Sequence, residues 1–333
     1  MPSLEPSIPS GWGDAHRALL QAFLSRGTLT YREAKPIIAA IFTAGSEQGR
    51  QVDPNEISEA DFRTLMSKMR EAVAPLDYDV RSTTHQTTRE QIWAVINAHS
   101  DPSTQLATSR NPDEIAFIKR LLDAMFETYN TRRQEVMAVT AAQARKVARP
   151  SARNDRNEDA IGEDAPQTQL ASDRGLKHSE VEKLLPSLVE EGWFEQSDEG
   201  FYSLSARSLL ELNTWLLEAY NDPDAGPDDW QRIKFCEACK DIVTVGQRCP
   251  RHDCNVRLHD ICADAFWRTR RAGQVCPKCQ TAWTGTNFVG ERSVTETAAA
   301  HRRRENGPRR SNGNASMVDH EVEQDVEVDE DDE

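Results

Sequence analysis

Residues 236–279 read CEACKDIVTVGQRCPRHDCNVRLHDICADAFWRTRRAGQVCPKC and contain all seven cysteines of the chain. Thiolates and imidazoles are the ligands that zinc takes in closed, four-coordinate structural sites, and a C-x2-C step lets one tight turn present two sulfurs to one ion. The stretch carries eight such ligands, enough for two zinc ions. Written as gaps, the series is Cys236-x2-Cys239-x9-Cys249-x4-Cys254-x4-His259-x2-Cys262-x13-Cys276-x2-Cys279.

The eight ligands form four successive pairs, which can share two ions in two ways. Adjacent pairing would give two independent knuckles, whereas alternate pairing interlocks the sites and lets a short segment fold around little hydrophobic core. We favour alternate pairing, known as a cross-brace. Eight ligands fill the coordination spheres of both ions and leave no open position for water, so both ions are expected to be structural, and no catalytic residue is expected. The expected sets are Cys236, Cys239, His259 and Cys262 for one ion, and Cys249, Cys254, Cys276 and Cys279 for the other.

Two histidines compete for the single imidazole position. His259 stands three residues before Cys262 and completes a pair, whereas His252 lies inside the loop between Cys249 and Cys254. His259 is therefore the expected ligand, with His252 as the alternative. A disulfide framework is a poorer explanation, because it would use an even number of cysteines in a secreted chain.

The composition places this module in a partly folded, acidic chain. The 333 residues carry a formal charge of -15, with 38% hydrophobic and 29% charged residues. At about 150 residues per domain, two folded units are expected, together with linkers and tails. No apolar run approaches the ~18 residues of a membrane span, and the first residues do not resemble a signal peptide, so neither membrane insertion nor secretion is expected.

The N-terminal part reads as three capped helices, a hairpin and a closing helix. Thr30 with Glu33, and Ser58 with Asp61, have the spacing of capping boxes. β-Branched and aromatic residues in 78–84 and 91–97 flank a Thr-rich connection and predict a hairpin. Asn111, followed by Pro112, predicts the start of the closing helix. We interpret 14–130 as a first winged-helix-like domain.

A second winged-helix-like domain is expected at 170–222, after a basic and polar linker at 131–169. Ser179 and Glu182 have capping-box spacing, and Trp193–Gln196 and Phe201–Leu204 flank a polar turn typical of a hairpin. The expected zinc domain follows at 230–290. The segment 291–333 ends in an acid-rich stretch without Lys or Arg and is expected to be a disordered tail. The expected fold class is therefore mainly α with small β hairpins.

The ligand order of four Cys, one His and three Cys, with Cys-Pro-Lys-Cys at 276–279, resembles a variant RING domain. PHD fingers, some of which read histone tails, share this order but usually place a Trp two residues before the seventh ligand. This chain has Gln274 there. The RING-like interpretation is favoured for that reason and because of Pro277.

Two winged-helix-like units followed by this ligand series resemble the non-SMC element one family, the RING-like subunits of the Smc five/six chromosome-maintenance complex. Glu-Glu-Gly-Trp-Phe at 190–194 and Gly-Phe-Tyr-Ser-Leu at 200–204 add to the resemblance. It implies a nuclear ubiquitin ligase that acts in DNA repair by recombination. It also implies a MAGE-type partner and a kleisin subunit.

In RING ligases a surface patch holds the ubiquitin-conjugating enzyme. The resemblance places Pro277 in that patch, with Trp267 or Val275 beside it. Glu237 stands where an aliphatic residue is usual, and Gln280 where an Arg often contacts ubiquitin. These departures keep open the alternative of a non-catalytic, zinc-stabilised assembly subunit.

The winged-helix-like units are expected to contact protein rather than DNA. The apolar stripe helix of the second unit carries acids that would repel phosphate. The basic segment 132–156 leaves weak nucleic-acid contact possible, with a solvated linker as the alternative. The acids on that helix are Glu180, Glu182, Glu190 and Glu191, against the single Lys183.

Overall fold

The computed structural model describes residues 10–46, 49–98, 109–150, 174–226, 228–270 and 273–296. Within them the chain is mainly helical, with three small antiparallel sheets and a C-terminal module in which cysteine and histidine side chains cluster. The expected fold class is confirmed. No helix in the described part of the chain is long and apolar enough to span a bilayer.

The first winged-helix unit has the order helix, strand, two helices, two strands. Its sheet has three strands, and the last of them along the chain lies in the middle, hydrogen-bonded to both others. The capping boxes predicted at Thr30 and Ser58 are both formed, since each side-chain oxygen accepts the N–H three residues on. The elements are α1 (Asp14–Arg26), β1 (Thr28–Thr30), α2 (Tyr31–Ala44), α3 (Glu59–Val73), β2 (Tyr78–Thr84) and β3 (Gln91–Asn97), with 3-10 turns at Pro54–Glu56 and Ala74–Leu76.

One closed apolar core holds this unit together. Phe62 on α3 lies at its centre, with its ring 5.5 Å from those of Tyr31 and Trp93. Burying such side chains removes the apolar surface of the helices and strands from water, which is the main driving force for folding. The buried members are Leu19, Phe23, Leu29, Ala34, Ile38, Ala39, Ile57, Phe62, Leu65, Met66, Met69, Val73, Val80 and Val95.

The second winged-helix unit repeats the same element order. Its sheet has the order β4-β6-β5, and two short helices follow it. The elements are α4 (Pro112–Asp123), continued by a π-helical turn at Ala124–Thr128, then β4 (Val139–Thr140), α5 (Ala141–Lys146), α6 (His178–Glu190), β5 (Phe194–Gln196), β6 (Phe201–Leu204), α7 (Ala206–Glu211) and α8 (Asn213–Tyr220).

The placement of elements in this region differs from the sequence interpretation. Helix α4, expected to close the first unit, buries its apolar face with α6 and β5 of the second. Within the expected linker, β4 pairs with β6 and α5 packs against α6. Because β4 has only two residues and α5 six, their apolar periodicity is too short to read. We therefore propose a division into units at 14–97 and 112–220.

The start of α6 also differs from the expected one. The helix begins at His178, and the Lys177 N–H donates to the Glu180 carboxylate at 2.7 Å. The box expected at Ser179 and Glu182 lies inside the helix, where Glu182 instead pairs with Arg145 at 3.0 Å. Glu180 and Glu182 stand three residues after Lys177 and Ser179, so the sequence was compatible with either residue as the N-cap of this helix.

The zinc-ligand segment folds around the third sheet, whose strand order is β8-β7-β9. Its buried apolar residues are continuous with those of the second unit. Residues 297–333, with most of the expected tail, and residues 151–173 of the expected linker lie outside the described part of the chain. The elements are β7 (Gly246–Arg248), β8 (Arg257–Leu258), α9 (Asp260–Arg268), β9 (Phe288–Val289) and α10 (Arg292–Thr295).

Candidate metal centre

The structure brings the eight expected ligands together in two groups of four, paired alternately along the chain. Within each group all ligand atoms lie within 4.8 Å of one another. In the first group, His259 Nδ1 is 3.3 Å from Cys239 Sγ and 3.9 Å from Cys262 Sγ. The groups are Cys236, Cys239, His259 and Cys262, and Cys249, Cys254, Cys276 and Cys279.

The second group has sulfur ligands alone. The Cys249 and Cys279 sulfurs lie 3.4 Å apart, and those of Cys254 and Cys276 lie 3.6 Å apart. A tetrahedral zinc ion with sulfurs at about 2.3 Å would separate two of them by about 3.8 Å. A disulfide needs about 2.05 Å, and all seven cysteines are free thiols. Both groups therefore have the donor atoms and spacing to bind a metal ion.

Two turns of the same form present the C-x2-C pairs. In the first, the N–H of Lys240 donates to the Cys236 carbonyl at 2.9 Å. In the second, the N–H of Gln280 donates to the Cys276 carbonyl at 3.1 Å. Lys240 and Gln280 both adopt left-handed backbone conformations, with φ of 66° and 59°. The turns fold the backbone back so that both sulfurs of each pair face one point.

The histidine ligand is oriented by a buried hydrogen bond. His259 is 2% exposed, and its Nε2 lies 3.1 Å from the carbonyl oxygen of Ile242. A proton on Nε2 would be donated to that carbonyl, leaving the Nδ1 lone pair directed at the thiols. His252 lies outside both groups, with its Nδ1 3.2 Å from the Arg132 carbonyl oxygen.

Three of the cysteine ligands favour the protonated thiol over the thiolate. Burial raises the pKa of Cys249 and Cys254, and neighbouring thiols raise it further. Burial likewise raises the pKa of Cys262 to about 11. Since a metal binds thiolates, a bound cation would have to displace these protons, and its affinity would fall as the pH is lowered.

Of the residues expected to contact a conjugating enzyme, Val275 and Pro277 adjoin Cys276 of the second group, whereas Trp267 lies on α9. Pro277 is half-buried in the turn between Cys276 and Cys279, and Val275 forms a bridge with Ala282. The Trp267 ring packs 5.4 Å from that of Trp283, so part of it belongs to the core.

Gln86 and Glu135 are among the residues outside the module that contact it in ways that sequence reasoning missed. Gln86, at the tip of the β2–β3 hairpin, donates to the Ile242 carbonyl at 3.0 Å and accepts the Val245 N–H at 2.9 Å. Glu135 is buried among cations of the module. Burial raises its pKa, but hydrogen bonds from Arg257 and neighbouring cations bring the pKa down to about 2. The one sequence signal for Glu135 was that it is one of only two acids in the basic segment 132–156, the other being Asp155.

Two family models match the chain. The model described as the Nse1 non-SMC component of the SMC5-6 complex matches residues 16–212. A model described as a RING-like domain matches residues 236–279, from the first to the last expected ligand.

Curated relatives and a solved structure are similar over most of the chain. Non-structural maintenance of chromosomes element 1 of Schizosaccharomyces pombe is 21% identical over 290 residues, covering 86% of this chain and 99% of that protein. The Homo sapiens homolog is 20% identical and covers 81% and 84%. A chain of a solved Nse1-Nse3-Nse4 complex has the same fold, with a TM-score of 0.60 and 18% identity over 82% of this chain and 97% of that one.

The match to the Nse1 model spans more than half of the chain. The match to the RING-like model spans the segment that carries both ligand groups. From its sequence and its fold alike, this chain belongs to the Nse1 family of non-SMC components of the SMC5-6 complex.

Proposed function

We propose that this chain is a zinc-dependent, RING-type ubiquitin ligase subunit of an SMC5-6 complex. The observation that carries the proposal is the pair of interlocked four-ligand groups in a segment that matches a RING-like model. These eight side chains would hold two zinc ions. The ions would act as cross-links that fix the shape of the surface proposed to contact the conjugating enzyme. The soft thiolates and the single imidazole suit zinc better than oxygen-preferring cations.

The catalytic role would be one of orientation. A surface formed by Pro277, Val275 and the exposed part of Trp267 would hold a charged conjugating enzyme so that its thioester meets the attacking amine. Fixing two reactants in a productive arrangement lowers the barrier by removing the entropy cost of bringing them together. No covalent intermediate with this chain is needed.

The partners in this proposal are a MAGE-type subunit and a kleisin subunit. The support is the likeness to a chain of a solved complex that contains Nse3 and Nse4. We propose that the chain acts in the nucleus, in DNA repair by recombination, as the resemblance to the family implies. Direct DNA contact would be weak, and the pairing of Arg145 with Glu182 at 3.0 Å, which occupies one of the seven basic residues of the segment 132–156, supports this.

The test is discharge of ubiquitin from a charged conjugating enzyme, with and without the MAGE-type and kleisin subunits. Pro277→Ala should slow discharge by roughly tenfold, which corresponds to about 1.4 kcal/mol. Pro250→Ala is a matched control, because Pro250 is also half-buried and also directly follows a ligand of the second group. If the wild-type chain accelerates discharge under neither condition, the ligase proposal is rejected.

A second candidate function is a zinc-stabilised assembly subunit without ligase activity. Glu237 is paired with Lys240 at 3.4 Å, and the Gln280 amide lies 3.4 Å from the Pro277 carbonyl oxygen. Both departures from the usual RING surface thus make contacts within their own turns. In this case variants of the ligands should disrupt subunit association, while Pro277→Ala should leave complex function unchanged.

A further inference from the structure

Glu135 reaches into the zinc module from outside it. The residue lies just before β4 in the second unit, and its side chain is 1% exposed. Its backbone carbonyl accepts the N–H of Gly290 at 2.7 Å, which holds the end of the module against this segment. The carboxylate therefore has a fixed position at the junction of the two parts.

Three buried cations of the module surround this carboxylate. Arg257 donates to both of its oxygens, from Nε at 2.7 Å and from Nη2. Lys234 Nζ donates to it at 2.8 Å, and Arg248 Nη1 lies at 3.6 Å. The three cationic side chains are at most 4% exposed. In the described part of the chain, Glu135 is the one carboxylate that pairs with any of them.

Each of these cations adjoins an expected ligand. Lys234 stands two residues before Cys236, and Arg248 stands directly before Cys249. Arg257 stands two residues before His259, and its Nη1 donates to the Cys254 carbonyl at 2.7 Å. One carboxylate is thereby connected to the backbone of both ligand groups.

We propose that Glu135 is a positioning residue for both zinc sites, which it organises through Lys234, Arg248 and Arg257. The inference rests on the zinc binding proposed above. Without the carboxylate, these buried side chains would be left without a compensating charge, which is strongly destabilising. We infer that they would then move towards water. The segments that carry the ligands would move with them, and both sites would loosen.

The first experiment measures zinc release from the full chain to a chromogenic chelator. Glu135→Gln keeps the shape of the side chain and removes its charge. Loss of an outer contact of this kind typically costs about 10- to 100-fold in metal affinity, so release from both sites should be faster by roughly that factor. The matched control is Glu127→Gln, since Glu127 is a surface acid that lies 3.9 Å from Arg232. Equal release rates for Glu135→Gln and wild type would overturn the proposal.

A rescue separates positioning from a general loss of folding. Adding Lys234→Met to Glu135→Gln removes one of the unpaired cations. The rate of zinc release should then return part of the way to that of wild type. Cobalt substitution gives each site its own absorption bands, because one site has three sulfurs and an imidazole and the other has four sulfurs. Both sets of bands should be perturbed in the single variant and partly restored in the double one. Absence of recovery would overturn the electrostatic role.

A measurement on the wild-type chain avoids the variants altogether. Because coupling between two sites is reciprocal, removing zinc should weaken the contact that Glu135 makes. Amide hydrogen exchange should then rise in residues 134–137, although they lie outside the zinc module. Unchanged exchange in residues 134–137 would overturn the proposed role of Glu135 but not the proposed zinc binding. Fewer than two zinc ions in the wild-type chain would overturn the proposed zinc binding and this inference with it.

Discussion

The first winged-helix unit and the zinc module are stabilised by different means. The apolar core cluster of the first unit consists of residues of that unit alone. The interior of the zinc module contains cysteine ligands and charged side chains, and Arg257 is the bulkiest fully buried residue described in the chain. The apolar residues of the module join the core of the second unit.

The difference indicates which part can fold alone. A core of large apolar side chains stabilises the first unit without help from a ligand. The zinc module has too little apolar core for its length, so its stability depends on the metal ions and on its neighbour. Perturbations of the metal and of the apolar core should therefore act on separate parts of the chain.

The largest expected effect comes from Cys249→Ala. Loss of one ligand leaves the second group with three sulfurs, and interlocking should carry the disturbance to the first group as well. Bound zinc should fall from two ions to one or fewer, and the module should become sensitive to protease while residues 14–97 stay resistant. Elemental analysis and limited proteolysis measure both outcomes.

His252→Ala is the control for this prediction. His252 is exposed and lies in the same loop as Cys249 and Cys254, but outside both ligand groups. The His252→Ala variant should retain two zinc ions and the protease resistance of wild type. Two retained ions in the Cys249→Ala variant would contradict the interlocked arrangement.

Phe62→Ala tests the other side of the comparison. Phe62 is 1% exposed, and removing a buried Phe ring typically costs about 3–5 kcal/mol. The free energy of opening the first unit should fall by that amount while zinc content stays unchanged. Hydrogen exchange of β3 amides measures the first quantity and elemental analysis the second. Leu24→Ala is the control, because Leu24 is 55% exposed and should change neither.

Sequence alone was sufficient where a pattern was long or chemically specific. The hairpin strands at 78–84 and 91–97 agree with the structure to the residue, because β-branched and aromatic residues on both sides of a Thr-rich polar turn define them. The ligand spacing also led to the two groups that the structure brings together, since C-x2-C pairs constrain which sulfurs can meet.

Sequence was insufficient where the information lies in tertiary contacts. The two-residue strand β4 has no periodicity of its own and exists through its pairing with β6. The role of Glu135 depends on Arg257, which lies over a hundred residues away in the chain. No local pattern reports that a single acid will be buried among three distant cations.

Gln86→Leu should have an intermediate effect, because Gln86 connects the two regions under comparison. Its amide contacts the Ile242 carbonyl, which also lies 3.1 Å from His259 Nε2. Leaving buried backbone groups unpaired costs about 1–3 kcal/mol. Exchange of the Thr244 and Val245 amides, which donate to Gln86, should rise accordingly.

The matched control for this variant is Gln91→Leu on the same hairpin. Gln91 is exposed and bonds to Ser82 within the hairpin, so the same substitution there should leave the module unaffected. If Gln86→Leu leaves exchange at Thr244 and Val245 unchanged, the Gln86 hydrogen bonds contribute nothing to the order of the zinc module.

The smallest effect concerns Asp79 and the acid sensitivity of the first unit. A hydrogen bond from Arg70, with a second from Arg81, lowers the pKa of Asp79 to about 2. A carboxylate whose folded pKa is depressed stabilises the fold above its unfolded pKa, near 3.8, and loses that contribution as the pH falls towards 2. Protection of β2 and β3 amides should decline over this range in wild type and less steeply in Asp79→Asn. Because the arginines are partly exposed, the difference should stay below about 1 kcal/mol.

Asp14→Asn should follow the wild-type curve, since Asp14 is almost fully exposed. An identical slope for Asp79→Asn and wild type would show that this ion pair does not contribute to the stability of the first unit.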